Sequence, residues 1–132
     1  MKGLFPHNET TRDLTVRVSV SFLRERSEPA KRRWFWTYHI RLENDGDLPV
    51  QLISREWLIG DAEGGRQIVQ GDGVVGEQPI IEPGGSYDYV SGCPLSTSSG
   101  WMEGRYFMVS ADGSSFEAVI PRFALTATVV ES

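Results

Sequence analysis

The sequence predicts an all-β protein, an antiparallel sandwich of two sheets and seven or eight strands. Three observations predict it. Apolar and polar residues alternate in several runs, the period of a strand with one buried face. Glycines and prolines, 14 and 7 of them, punctuate those runs with turns. No stretch shows the apolar spacing of an amphipathic helix, and the aromatics (4 Trp, 4 Tyr, 6 Phe) suit pleated, half-buried surfaces.

The first clear strand begins at residue 14. Leu14, Val16, Val18, Val20 and Phe22 fall on one face, and Thr15, Arg17, Ser19 and Ser21 on the other. The basic stretch "LRERSEPAKRRW" follows and is read as a solvated loop, with an anion or partner contact as its sharper alternative. Residues 34–42 alternate again: Trp34, Trp36, Tyr38, Ile40 and Leu42 share the core-facing side. "ENDGDLP" is a turn around Asp45 and Gly46. In "VQLISREWLIGD" the apolar phase slips near Ser54, which predicts a bend or bulge.

A short strand, "RQIVQ", leads into "QGDGVVGEQP". "SYDYVSG" is the next strand, and "PLSTSSG" reads as a polar loop. "WMEGRYFMVSA" carries Gly104 in its interior, the mark of a bulge or of close backbone approach. "SFEAVIPRFALTATVV" is the last strand, and Pro121 confines it to a sheet edge or breaks it. Residues 13–132 are thus expected to form a single sandwich domain behind a flexible segment, 1–12.

Composition excludes several function classes. Thirteen basic against 18 acidic residues give a net charge of −5, opposed to a nucleic-acid face. No apolar run approaches membrane-spanning length, and the opening "MKGLFPHNETTRDL" has none of the apolar stretch of a signal peptide. Cys93 is the lone cysteine, so no internal disulfide is possible. A soluble, cytoplasmic chain with an inert thiol is expected.

Candidate chemistry is thin. Gly71, Gly73 and Gly76 have the spacing G-x-G-x-x-G of a dinucleotide loop, with Arg55 and Arg66 as cations for a phosphate. Such a loop needs a helix behind it, and here Pro79 and Pro83 follow, with Asp72, Glu77 and Glu82 opposing an anion. The glycines are therefore read first as turn formers. His7 and His39 lack metal-ligand spacing, and no hydroxyl or thiol has a positioned base. No catalytic set, metal site or cofactor is expected. Trp101, after a Ser/Gly loop, suits either core or recognition surface.

Several stretches together resemble one family. "VQGDGVVGEQPIIEPGGSYDYVSGCPLSTSSGWMEGRYFM", with "PVQLISREWLI" before it and "GSSFEAVIPRFAL" after it, is similar to the signature region of ApaG proteins. The resemblance spans residues 14–128. It implies an immunoglobulin-like or fibronectin type III-like sandwich. It also implies a link to cobalt and magnesium efflux in stand-alone bacterial members, and protein binding where related domains sit inside larger eukaryotic proteins. Pyrophosphate binding suggested for the family's glycine motif lands here on Gly71, Gly73 and Gly76. Arg55 and Trp57 match an R-x-W element, whereas Glu56 replaces a more usual histidine or aromatic residue. The reading favours a non-enzymatic module that binds another protein through Arg55 and Trp101. The alternative is a protein that binds a nucleotide polyphosphate or a divalent cation through the glycine stretch. Open sheet edges also allow a homodimer.

Overall fold

The computed structural model describes residues 5–127 and consists of two antiparallel sheets packed face to face. Its strands are β1 (His7–Thr11), β2 (Leu14–Phe22), β3 (Trp34–Asn44), β4 (Val50–Asp61), β5 (Arg66–Asp72), β6 (Ile80–Ile81), β7 (Ser86–Leu95), β8 (Ser99–Ser110) and β9 (Ser115–Thr126). One sheet has the order β1-β2-β3-β7. The other has the order β5-β4-β8-β9, with β6 also on β4. The predicted β-sandwich is the observed architecture.

The alternation seen in the sequence becomes the core. Val16, Val18, Trp36, Ile40 and Leu42 from one sheet meet Leu52, Trp57, Met102, Tyr106, Ile120 and Phe123 from the other. The Trp57 ring stands edge-on to Tyr38, centroids 5.2 Å apart, and edge-on to Phe123 at 6.0 Å. Such contacts add to simple area burial.

Three local predictions are met. The register of β4 against β8 slips between Leu52 and Ser54, leaving Ile53 as the extra residue. β9 is an edge strand, and Pro121 lies where two of its residues oppose one of β8. A Cβ at Gly104 would overlap the Glu56 carbonyl oxygen on β4, so the two backbones approach closely there.

Other elements differ from the reading. β1 lies within the segment expected to be flexible. Its residues do not alternate; pairing with β2 from His7↔Val18 to Thr11↔Leu14 makes it a strand. Residues 1–4 lie outside the described residues, as do 128–130 of the expected last strand. β7 runs on to Leu95, so the polar loop shrinks to 96–98. Pro94 is tolerated there because β7 is an edge strand. The short β6 was also absent from the sequence reading. The basic loop holds two 3-10 turns, Arg24–Arg26 and Pro29–Lys31, and three of its cations are paired, Lys31 and Arg33 with Glu28 and Arg32 with Glu63.

The two flanks of the sandwich are unlike. On one, β1 covers β9: the Val119 amide donates to Thr11 Oγ1 at 3.2 Å, and the Arg12 guanidinium lies 4.9 Å over the Phe116 ring. On the other, β5 and β7 are the outermost strands, and among the described residues no backbone hydrogen bond joins them.

Candidate functional site at the open flank

Between β5 and β7 a cleft of about 230 Å³ opens into the sandwich. Trp57, Met102 and Tyr38 form its apolar floor; Arg55, Gln67 and Ser91 supply polar groups. Arg55 is here because of the bulge at Ile53. Before the bulge, Val50 and Leu52 point inward; after it the phase is reversed, and Arg55, Trp57 and Ile59 line the interior. Arg55 Nη1 donates to the carbonyls of Gly73 at 2.7 Å and Asp72 at 3.2 Å. Behind it, the Tyr89 and Tyr106 hydroxyls are hydrogen-bonded at 2.5 Å in the core.

Burial pushes the hydroxyls of Tyr38, Tyr89 and Tyr106 above the usual tyrosine range, and the nearby Arg55 charge draws each partly back. Burial likewise pushes the Cys93 thiol up to about 11. A thiol 3% exposed and protonated at neutral pH is a weak nucleophile, in line with the inert reading.

The glycine stretch borders this cleft. β5 and β6 pair with the same edge of β4, and the stretch is an excursion between them. Its three glycines serve three needs. Gly71 lies in β5 beside Arg55, where a Cβ would come within 2.9 Å of Nη1. Gly73 has φ +63, and a Cβ there would overlap the Glu77 carbonyl. Gly76, φ +83, and Val75, φ +43, form the centre of a tight turn closed by mutual bonds between Val74 and Glu77 at 2.8 and 2.9 Å. Two left-handed central residues are the mark of a type I′ turn. The Gly73 amide donates to Ile53 at 2.8 Å. The amides of Gly73, Val74 and Glu77 are thus engaged internally, and the loop turns carbonyls toward Arg55.

Trp101 lies elsewhere. It is half-buried on the outer face of the five-stranded sheet, against Gly60, between the guanidinium groups of Arg122 at 3.7 Å and Arg66 at 5.5 Å. Arg55 and Trp101 therefore lie on opposite faces of one sheet. Arg66 stacks on Trp101 at the far end of β5 from the glycine stretch. Glu56 also faces outward, paired with Arg105 at 2.8 Å and bonded by Gln70. Its departure from the family pattern leaves the cleft untouched. Among the described residues, no three His, Cys, Asp or Glu side chains converge as a metal site.

β5 itself completes the flank. It is bonded on one side only, and its sequence "RQIVQGD" contains no proline or lysine. Ile68 is 64% exposed at its middle. Bonds from Asp61 to the Gly65 carbonyl and from Gly73 to the Ile53 carbonyl set the phase of the ladder. Gln67, Val69 and Gly71 therefore bond to β4, while the amides and carbonyls of Arg66, Ile68 and Gln70 point away from it. Sequence reasoning missed this edge, because a strand's place in the sheet order is not written in its own residues.

The same architecture recurs in related chains. The model of the ApaG domain matches residues 24–110. A "Protein ApaG" of Rhodospirillum centenum is 49% identical over 119 residues, 90% of this chain and 92% of that one. One from Maricaulis maris is 54% identical over 112 residues, 83% and 86% of the two chains. A crystal structure of a Bordetella pertussis protein superposes with a TM-score of 0.84 at 44% identity, covering 86% of this chain and 93% of that one. Agreement in sequence and fold over nearly the whole length makes this chain a member of the ApaG family.

Proposed function

We propose that this chain is a non-enzymatic binding module whose partner is a protein segment in extended conformation. The segment adds as a strand to the free edge of β5, in the cytoplasm. The observation that carries this reading is the asymmetry of the flanks. One flank is sealed by β1, whereas the other leaves a seven-residue edge unpaired with an apolar side chain at its centre. Unprotected edges of this kind are what strand-adding partners use, and main-chain bonds supply much of the affinity. Trp101 and Arg66 extend the contact on the outer face at one end of the strand. Arg55 contributes from the cleft at the other.

Photo-crosslinking in cells tests the reading. A photoreactive residue at position 70 is expected to yield a discrete adduct, lost when Ile68→Pro is added, whereas one at 41, on the outer face of the other sheet, yields none. Adducts from 41 alone, or equal adducts from both positions, overturn it.

A second reading has one observation in its favour: the Arg55 guanidinium rests on the glycine stretch. An anion such as pyrophosphate would then bind beside Gly71, Gly73 and Gly76. Calorimetric titration with pyrophosphate, ATP and magnesium tests it, and no heat at millimolar concentration excludes it.

A further inference from the structure

The open cleft holds a cation without a counter-charge. Arg17, Arg32, Arg33, Arg41, Arg105 and Arg122 each have a carboxylate partner, and Arg12, Arg26 and Arg66, which have none among the described residues, lie over aromatic rings outside the cleft. Among the described residues, no carboxylate lies within ion-pairing distance of Arg55, and its acceptors are the two carbonyls on Nη1. A guanidinium has five donors in a planar fork that matches a carboxylate. This one is held in place, faces a cleft with an aromatic floor, and lies beside a residue with no side chain.

Gly71 gives that arrangement a direction. On β5 the inward positions are Gln67, Val69 and Gly71, paired with Ile59, Trp57 and Arg55 of β4. A strand added to β5 continues the pleat, so its residue beside Gly71 points into the cleft mouth. Nothing from Gly71 stands between that residue and Arg55. The residue two positions from it on the side of Val69 faces the apolar part of the cleft, near Val69, Trp57 and Pro94.

From this geometry, and resting on the reading of β5 as a docking edge, we infer that the partner is an acidic segment. It carries an Asp or Glu at the position beside Gly71, seated against Arg55, and an apolar residue two positions away on the side of Val69. A second copy of this chain fits less well. β5 laid antiparallel on β5 about Val69 would match Arg66 with Asp72, but it would put Gln67 beside Gly71 and leave Arg55 without a carboxylate.

Selection of random nonapeptides displayed on phage, against the full chain, tests the inference. The wild-type protein is expected to enrich peptides with one fixed Asp or Glu and an apolar residue two positions to one side of it. Arg55→Gln is expected to lose that acidic position, and Arg55→Lys to keep it. A synthetic peptide of the selected sequence should bind about tenfold more weakly when its acidic residue is changed to the amide, a readout that leaves the protein intact. Peptides that perturb the amides of Ile68 and Gln70 yet show no acidic position overturn the carboxylate inference and leave the docking edge standing. Selection of no peptide, or of peptides indifferent to Ile68→Pro, overturns both. Acidic peptides that bind Arg55→Gln and wild type alike also overturn it, because the acid would then be read elsewhere.

Discussion

Tyr89 and Tyr106 meet hydroxyl to hydroxyl in the core, and each satisfies the other. Changing either to Phe strands a buried polar group and is expected to cost about 1–3 kcal/mol in urea unfolding. The double change should cost less than the sum by about 1 kcal/mol, since no orphan remains. These tyrosines and Cys93 also set a pH dependence. Their folded-state pKa values lie above the unfolded ones, so the folded chain keeps protons that the unfolded chain releases. The Cys93 contribution is complete below pH 9 and declines as pH rises from 9 toward 11, and that of the tyrosines declines from about pH 10 upward. Denaturation midpoints measured from pH 8 to pH 10.5 should fall, and Cys93→Val should flatten the first part of the fall.

The glycine stretch is also a residue-scale matter. Gly76→Ala meets only the left-handed φ penalty, about 1 kcal/mol, because nothing lies near its missing Cβ. Gly73→Ala adds a backbone overlap and should cost clearly more. Val75 is a branched residue in the left-handed region, 57% exposed. Val75→Asn should stabilise by a few tenths of a kcal/mol up to about 1. The spacing of these glycines could be read from sequence; their three separate reasons could not, since two depend on Arg55 and Glu77 coming close in space. Asn44 is another such case. Its buried amide bonds the carbonyls of Leu48 and Ile81 and accepts from Gly46, yet in sequence it is one polar residue in a turn.

At the scale of elements, what the sequence made legible was alternation. β2 and β3 follow from period two, the Ile53 bulge from a slipped phase, and the edge position of β9 from Pro121. β1 was illegible because "HNETT" carries no apolar pattern and is a strand only through its partner. Arg55 was placed on the right strand but not on its inward face, because a polar residue is read as solvent-facing until the bulge reverses the phase. The edge of β5 makes a prediction of its own. The Ile68 amide points away from β4, whereas the Val69 amide bonds to it. Ile68→Pro should therefore leave the fold largely intact, within about 1 kcal/mol, and Val69→Pro should cost about 3 kcal/mol or more. Thermal unfolding of the two variants checks this, and similar losses for both would contradict the assigned ladder phase.

For the whole molecule, the sandwich is closed where β1 meets β9 and open where β5 faces β7. The glycine stretch, the bulge and Arg55 all belong to the open flank. The central claim is that this flank receives an extended partner. Amide hydrogen exchange of the full chain, with and without a peptide selected on it, tests that claim most directly. The account predicts that the amides of Arg66, Ile68 and Gln70 exchange quickly alone and become protected on binding, while Gln67, Val69 and Gly71 are protected in both states. Protection that appears instead at β1 and β9, or around Trp101 alone, would contradict it.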